Sequence, residues 1–269
     1  MELNNIIFSV FLIFFGYFFG KYLLLTFKKS KTNLLADNQF QKIQAFHENS
    51  TYRLGGIIIF SLLVLVFLYL YFFRNIFSFE YVSFCTLFFL LGLTDDLKIN
   101  IAPKFRLLIM ITFLVILVIS NEIYINKTGL EFLNNLVEID IFSLTFMCLC
   151  FLFIINGSNL IDGFNGLLGI HSLVIFIVLF AINLINANNN LIYILFYVGL
   201  LTLIFLKFNF PKAQIFLGDG GAYLIGILIA ISVIKTSILN PSISPLFFCI
   251  LLFYLFFEVF FSFCRKLFV

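Results

Sequence analysis

Residues 54–73 read LGGIIIFSLLVLVFLYLYFF, twenty positions without a charge. At about 1.5 Å per residue such a run makes a helix roughly 30 Å long, the thickness of a bilayer's hydrocarbon core. Polar and apolar residues do not alternate along it, so a membrane β-barrel strand is excluded. Backbone groups in hydrocarbon must satisfy one another within the segment, which leaves the helix. Comparable runs occupy 6–27, 77–94, 105–120, 141–157, 167–185, 190–206, 221–238 and 245–263. The expected fold is therefore all-α: a polytopic integral membrane bundle of about nine transmembrane helices. Two runs are less clean, because Glu80 interrupts 77–94 and Lys104 and Arg106 stand at the start of 105–120.

The composition agrees. Of 269 residues, 63% are hydrophobic and 11% charged, against about 25% charged in a soluble domain. Mean hydropathy is +1.16. A soluble enzyme, a disordered tail and a disulfide scaffold are excluded. Nine spans leave no tract for a separate soluble domain. Cys85, Cys148, Cys150, Cys249 and Cys264 all lie in apolar runs without C-x-x-C spacing and read as packing residues. The N-terminal Met1-Glu2-Leu3-Asn4-Asn5 has no basic region, and the apolar run after it exceeds a signal-peptide core. It is expected to stay as the first span.

Basic residues sort by loop parity. Thirteen, including Lys28, Lys29, Lys98, Lys104, Arg106, Lys207, Lys212, Arg265 and Lys266, fall on one side, and only Arg74, Lys127 and Lys235 on the other. The positive-inside rule then puts the odd-numbered connections in the cytoplasm, with the N-terminus outside and the C-terminus inside. Asp95 and Asp96, Asp162, and Asp219 follow the third, fifth and seventh spans, so four carboxylates meet this face on three connections.

Three motifs carry those acids. In Thr94-Asp95-Asp96-Leu97-Lys98, an acidic pair ends a helix where the macrodipole disfavours anions; it is either a water-exposed end or a place to manage a cation or proton. In Asn156-Gly157-Ser158-Asn159-Leu160-Ile161-Asp162-Gly163-Phe164-Asn165-Gly166, the spacing of three puts Asn156, Asn159 and Asp162 on one stripe. This cluster suits hydrogen bonding to a base or sugar, or a plain helix cap. In Phe216-Leu217-Gly218-Asp219-Gly220-Gly221-Ala222, one carboxylate among glycines suits a phosphate-bound hard cation. The backbone amides there are expected to be open to a phosphate, and a generic Gly-rich turn is the bland alternative. Arg53, in Thr51-Tyr52-Arg53-Leu54-Gly55-Gly56, either grips a phosphate or anchors its helix among headgroups.

From about residue 45 to the C-terminus, these D-D-x-x-K, N-x-x-N-x-x-D-G-x-x-G-L and F-L-G-D-G-G-A patterns, in this order, resemble the polyprenyl-phosphate N-acetylhexosamine-1-phosphate transferases of glycosyltransferase family 4. Arg53 within T-x-R-x-G-G resembles the GlcNAc-type branch more than the pentapeptide translocase. The resemblance implies transfer of HexNAc-1-phosphate from UDP-HexNAc to polyprenyl (undecaprenyl) phosphate, releasing UMP, as the first membrane step of a cell-envelope glycan such as lipopolysaccharide or teichoic acid. It implies Asp95 and Asp96 as catalytic. Asp219 would be a Mg²⁺ ligand, with Mn²⁺ as a substitute, and Asn156 the amide beside it. Asn159, Asp162, Phe216, Lys98, Lys104 and Arg53 would bind substrate, with Phe216 against uracil. The implied partners are UDP-HexNAc, the lipid phosphate and the membrane, with no nucleic acid and with a homodimer admitted. The implied location is the bacterial cytoplasmic (inner) membrane, with the site on the cytoplasmic face.

Chains of the family it resembles continue past the equivalent of Arg265-Lys266 into a cytoplasmic loop with an H-x-H type motif and then one or two more spans. Here the histidines are His47 and His171. The expectation is one membrane-embedded transferase domain over 1–269 that lacks that loop and last span. Two rival classes remain: a proton-coupled transporter, disfavoured by the one-sided acids and the lack of a repeat, and an inactive membrane scaffold or relic.

Overall fold

A computed structural model describes residues 3–30, 35–37, 51–99, 101–125 and 127–268. The apolar runs are helices at nearly the expected bounds. In chain order the elements are α1 (Leu3–Ser30), β1 (Ala36–Asp37), β2 (Thr51–Arg53), α2 (Gly55–Arg74), α3 (Phe79–Asp96), α4 (Pro103–Ser120), α5 (Glu131–Val137), α6 (Asp140–Ile161), α7 (Leu167–Ile185), α8 (Asn189–Asn209), β3 (Ile215–Phe216), α9 (Gly218–Leu239), α10 (Pro245–Leu251) and α11 (Phe253–Phe268). Seven of the described helices are long and apolar enough to cross a membrane, and α10 with α11 passes the same test only as a bent pair, a broken span or a re-entrant loop. Glu80, Asp95 and Asp96 put three acids in the eighteen residues of α3. The chain is a polytopic all-α membrane protein.

Three features depart from the expectation. First, 245–263 is not one straight span: α10 and α11 meet at a bend of 64°. No Pro or Gly lies at the break, so local chemistry does not impose it. The bend accompanies a tertiary contact, since a Cβ on Gly157 of α6 would lie 2.6 Å from the Leu255 carbonyl oxygen. Second, α5 is a short helix in the loop before α6. Third, a small sheet forms in the order β1-β2-β3, β1 antiparallel and β2 parallel to β3, pairing Tyr52 with Ile215 and Arg53 with Phe216. Two- and three-residue strands carry no readable period, which is why sequence patterning does not show them.

Helix α9 is the axis of the bundle: 78% of its apolar window is buried, against 17% for α1. It packs antiparallel to α3. At one end Tyr81 and Ser232 hydroxyls meet at 3.0 Å and Lys235 pairs with Glu80. At the other, a Cβ on Gly92 would lie 2.5 Å from the Asp219 carbonyl oxygen and 2.6 Å from Gly220 Cα. Only hydrogen at position 92 lets these backbones touch. Helix α1 is held through Asn5, whose Oδ1 accepts from Tyr69 Oη at 2.8 Å and from Arg74 Nε at 3.1 Å. Its outer face, with Phe14, Phe18 and Tyr22 exposed, suits lipid.

The five cysteines are free thiols. His171 lies in α7 with its ring edge-on to Tyr254 of α11, centroids 5.6 Å apart. His47 lies outside the described residues.

Candidate active site

The acidic motifs meet where three helix ends converge. Asp96 closes α3, and its side chain is 3% exposed. Its Oδ1 accepts the Asp219 amide at 3.0 Å and its Oδ2 the Gly220 amide at 2.9 Å. A carboxylate from one helix thus caps the N-terminus of another, where the amides lack intrahelical partners and the dipole favours an anion. Gly218 makes this possible. It has φ +77°, and a Cβ there would sit 2.6 Å from Asp96 Oδ2. Arg53 Nη1 stands 3.5 Å from Asp96 Oδ1, and the register of β2 on β3 sets Arg53 beside Phe216.

Helix α6 brings the second motif to the same level. A Cβ on Gly226 of α9 would lie 2.9 Å from Ile155 Cα, so these positions face one another. The two helices run antiparallel, and Asp162 and Asp219 each lie seven residues from that crossing toward the same end. At about 1.5 Å per residue both acids stand roughly 10 Å from it, side by side in depth. The electrostatics agree. Burial pushes the Asp162 carboxyl well above its ordinary range, the negative charges of Asp219 and Asp96 push the same way, and Arg53 opposes them. Asp96, beyond the apolar run of α3, is raised to about 6. Burial is the largest cause, the Gly220 N–H opposes it, and the Asp219 charge adds to it. Three carboxylates from three connections therefore share one field.

The other expected residues are placed as follows. Asp95 pairs with Arg106 of α4, both side chains mostly covered. Asn159 is half-buried on α6 one turn before Asp162. Asn156 is two turns before it, roughly 9 Å deeper, and its Nδ2 donates to the Leu152 carbonyl at 2.8 Å. Of the two metal candidates, Asp219 thus stands at the rim and Asn156 below it. Lys98, in left-handed backbone at φ 60°, and Lys104 are exposed.

One expectation is corrected. The amides at the start of α9 are not open to a phosphate: Asp96 takes those of Asp219 and Gly220, and the Leu217 carbonyl accepts the Gly56 amide at 2.8 Å. The glycines serve close packing, since a Cβ on Gly56 would lie 2.4 Å from the Gly221 nitrogen.

Two site residues were not found from sequence. Arg106 counted there only as a topological charge, yet it pairs with Asp95, the first acid of the pair. Asn209, buried at the end of α8, accepts the Gly166 amide on Oδ1 at 2.6 Å and donates from Nδ2 to the Ile215 carbonyl at 3.0 Å. It ties the Asp162 turn to the strand bearing Phe216. Asn209→Ala would leave two buried backbone groups unpaired and should cost about 2–4 kcal/mol. Asn209→Asp keeps the acceptor but buries a carboxylate against the Ile215 carbonyl, and at neutral pH should cost at least as much, read from melting temperatures in detergent.

Among the described residues no three His, Cys, Asp or Glu side chains are arranged to hold a metal ion. A Mg²⁺ shared with substrate needs fewer protein ligands, one or two carboxylates plus phosphate oxygens and water. Asp219 and Asp162 fit such a role by position, because they stand at the same end of the bundle close enough for one charge to act on the other. Both oxygens of Asp96 are already engaged.

The profile of glycosyl transferase family 4 matches residues 78–237, a span that contains every acid of the site. Three similar proteins bear the name phospho-N-acetylmuramoyl-pentapeptide-transferase. That of Prochlorococcus marinus subsp. pastoris is 31% identical over 220 residues, covering 75% of this chain and 59% of the relative. That of Dictyoglomus thermophilum is 31% identical over 241 residues, covering 86% and 72%, and that of Dictyoglomus turgidum 29% over 236, covering 85% and 73%. The chain therefore spans less than two thirds of the first of these relatives. With the matched span enclosing the motifs and the fold that gathers them, this chain belongs to glycosyl transferase family 4.

Proposed function

We propose that the protein transfers HexNAc-1-phosphate, GlcNAc-1-phosphate by preference, from UDP-HexNAc to polyprenyl phosphate and releases UMP. The observation that carries this reading is the convergence of Asp96, Asp162 and Asp219 with Arg53 at one end of the bundle. One substrate is a water-soluble polyanion and the other a lipid with a phosphate head, so their meeting place must be an interface. The thirteen-to-three split of basic residues supports the cytoplasmic interface, in a bacterial inner membrane.

A phosphate that attacks a diphosphate meets charge repulsion. A Mg²⁺ held by Asp219 and Asp162, with Asn156 below, would supply Lewis-acid neutralisation when bound. The chain's own residues do the rest. Arg53 and Arg106 place positive charge on either side of the acids, and exposed Lys98 and Lys104 raise the local potential. Phe216, beside Arg53, offers a ring face for the base, and Asn159 an amide for base or sugar. Asp95 accepts a proton, but this matters little. The second pKa of a phosphate monoester is about 6, so the attacking oxygen is mostly ionised at neutral pH. Positioning and electrostatics contribute more.

The names of the relatives favour a pentapeptide-bearing donor, whereas Arg53 in T-x-R-x-G-G favours GlcNAc. The test supplies purified protein with undecaprenyl phosphate and radiolabelled UDP-GlcNAc, UDP-GalNAc or UDP-MurNAc-pentapeptide, with Mg²⁺ or EDTA. Label should enter the butanol phase from UDP-GlcNAc and only with Mg²⁺. Label from the pentapeptide donor alone would reassign the substrate, and binding without transfer would make the chain a relic.

A further inference from the structure

The end of the bundle opposite the acids holds a cavity of about 170 Å³ between α6, α9 and α10. Val233 of α9 lines it fourteen residues from Asp219, roughly 21 Å along the helix at 1.5 Å per residue. The cavity is therefore separate from the acidic centre. Phe146 and Ile154 of α6 and Ile234 of α9 wall one side. Leu252, at the break between α10 and α11, and Phe256, one turn beyond it, wall the other. An apolar cavity of about 150 Å³ takes up hydrocarbon rather than water.

The rim is different. Leu130 and Leu246, 44% and 47% exposed, give it a surface that suits lipid. Lys127 stands exposed beside them and is the one charged lining residue among those described. Its segment is fixed in place. Thr128 donates from its N–H and from its hydroxyl to Asn134 Oδ1, both at 2.7 Å, and Gly129 lays the chain against Pro245 of α10. Of the other basic residues at this end, Arg74 donates to Asn5 and Lys235 pairs with Glu80. Lys127 forms no ion pair among the described residues. The acids of the neighbouring loop, Glu131 and Glu138, do not line the cavity.

A hydrocarbon slot with one cation at its mouth fits an anion on an apolar chain. We propose that the cavity binds one acyl chain of an anionic phospholipid from the leaflet opposite the acids, with the lipid phosphate against Lys127. Lipid tails are as apolar as this wall, so the chain gains little by entering. Selection of this lipid over its neighbours therefore falls to the head group, which Lys127 attracts. The seated chain braces the α10–α11 bend from within. This inference goes beyond the proposed transfer and does not depend on it.

The cavity carries its own reporter. Cys249 of α10 lines it and is exposed, whereas Cys264 of α11 does not line it. The test alkylates the full chain in neutral detergent with N-ethylmaleimide and reads each thiol by peptide mass, with and without dioleoyl phosphatidylglycerol or dioleoyl phosphatidylcholine. One lysine near a head group gives a preference of about fivefold. Phosphatidylglycerol should thus slow Cys249 about fivefold more than phosphatidylcholine does and leave Cys264 within about twofold. Lys127→Gln should erase the preference and Lys127→Arg should keep it. Cys150→Leu, which fills the cavity from α6, should abolish protection, with melting temperature confirming that it folds. The proposal is overturned if phosphatidylglycerol leaves Cys249 unprotected, if both lipids protect equally in the parent, or if Lys127→Gln keeps the preference. Protection that survives in a folded Cys150→Leu protein overturns it too. So does stronger protection by oleate or by undecaprenyl phosphate, which would assign the cavity to a fatty acid or to the transfer acceptor.

Discussion

Asp219→Asn should lower the transfer rate by about three decades, a loss of about 4 kcal/mol of transition-state stabilisation, while melting temperature and helical content stay near those of the parent. The fold should survive because the contact that seats α9 uses the Asp219 amide and not its carboxylate. The chemistry should not, because the side chain sits half-buried at the rim near Asp162, where under the proposed function it would help to hold a divalent cation. Asp95→Asn should cost only about tenfold to thirtyfold in turnover, since the attacking phosphate is already ionised. Initial rates at saturating Mg²⁺ with both substrates varied decide the ranking. Asp219→Asn should also require more Mg²⁺ for half-maximal rate. The reverse order, with Asp95→Asn the more damaging under metal saturation, would refute this account.

Gly92→Ala should be a severely damaging single-methyl change. The added carbon would lie 2.5 Å from the Asp219 carbonyl oxygen and 2.6 Å from both the nitrogen and Cα of Gly220. All three are backbone atoms, so no side chain can swing aside. Overpacking of this kind costs about 3 kcal/mol, and here it displaces the segment that carries Asp219. A misplacement of about 1 Å at a reacting centre costs about a hundredfold in rate. Gly199→Ala is the control. It lies in α8, where the nearest atom to a new Cβ is Leu173 Cδ1 at 3.9 Å, so it should leave activity intact and stabilise by about 0.5–1 kcal/mol. Melting temperatures in one detergent compare the two; equal shifts would sink the close-approach argument.

The helices were legible because hydrocarbon enforces long apolar runs, and the loop of each acid followed from counting spans. The α10–α11 bend was not, because no Pro or Gly marks the break and the contact that accompanies it, Gly157 with Leu255, joins segments almost a hundred residues apart. Nor was the role of Asp96. The string Asp95-Asp96 shows two identical groups, but the end of α3 turns one to Arg106 and the other into the start of α9. The glycines near Asp219 carried a signal that two accounts shared. Open amides for phosphate and close helix contact both demand small residues, and only the fold distinguishes them. Arg106 was hidden by Lys104, since side-chain direction two positions apart on a helix is invisible to a charge count.

The double attachment of Asp96 has a practical corollary for any mutational survey of this site. A variant there removes an acid from the pocket and unseats the helix that presents its neighbour, so lost turnover and lost architecture arrive together. A screen scored on product alone would rank Asp96 with Asp219 and assign both to chemistry. Scored jointly on yield of folded protein and on product, the two would fall on different axes, and the second aspartate of the pair would register as a hinge pin rather than a reagent.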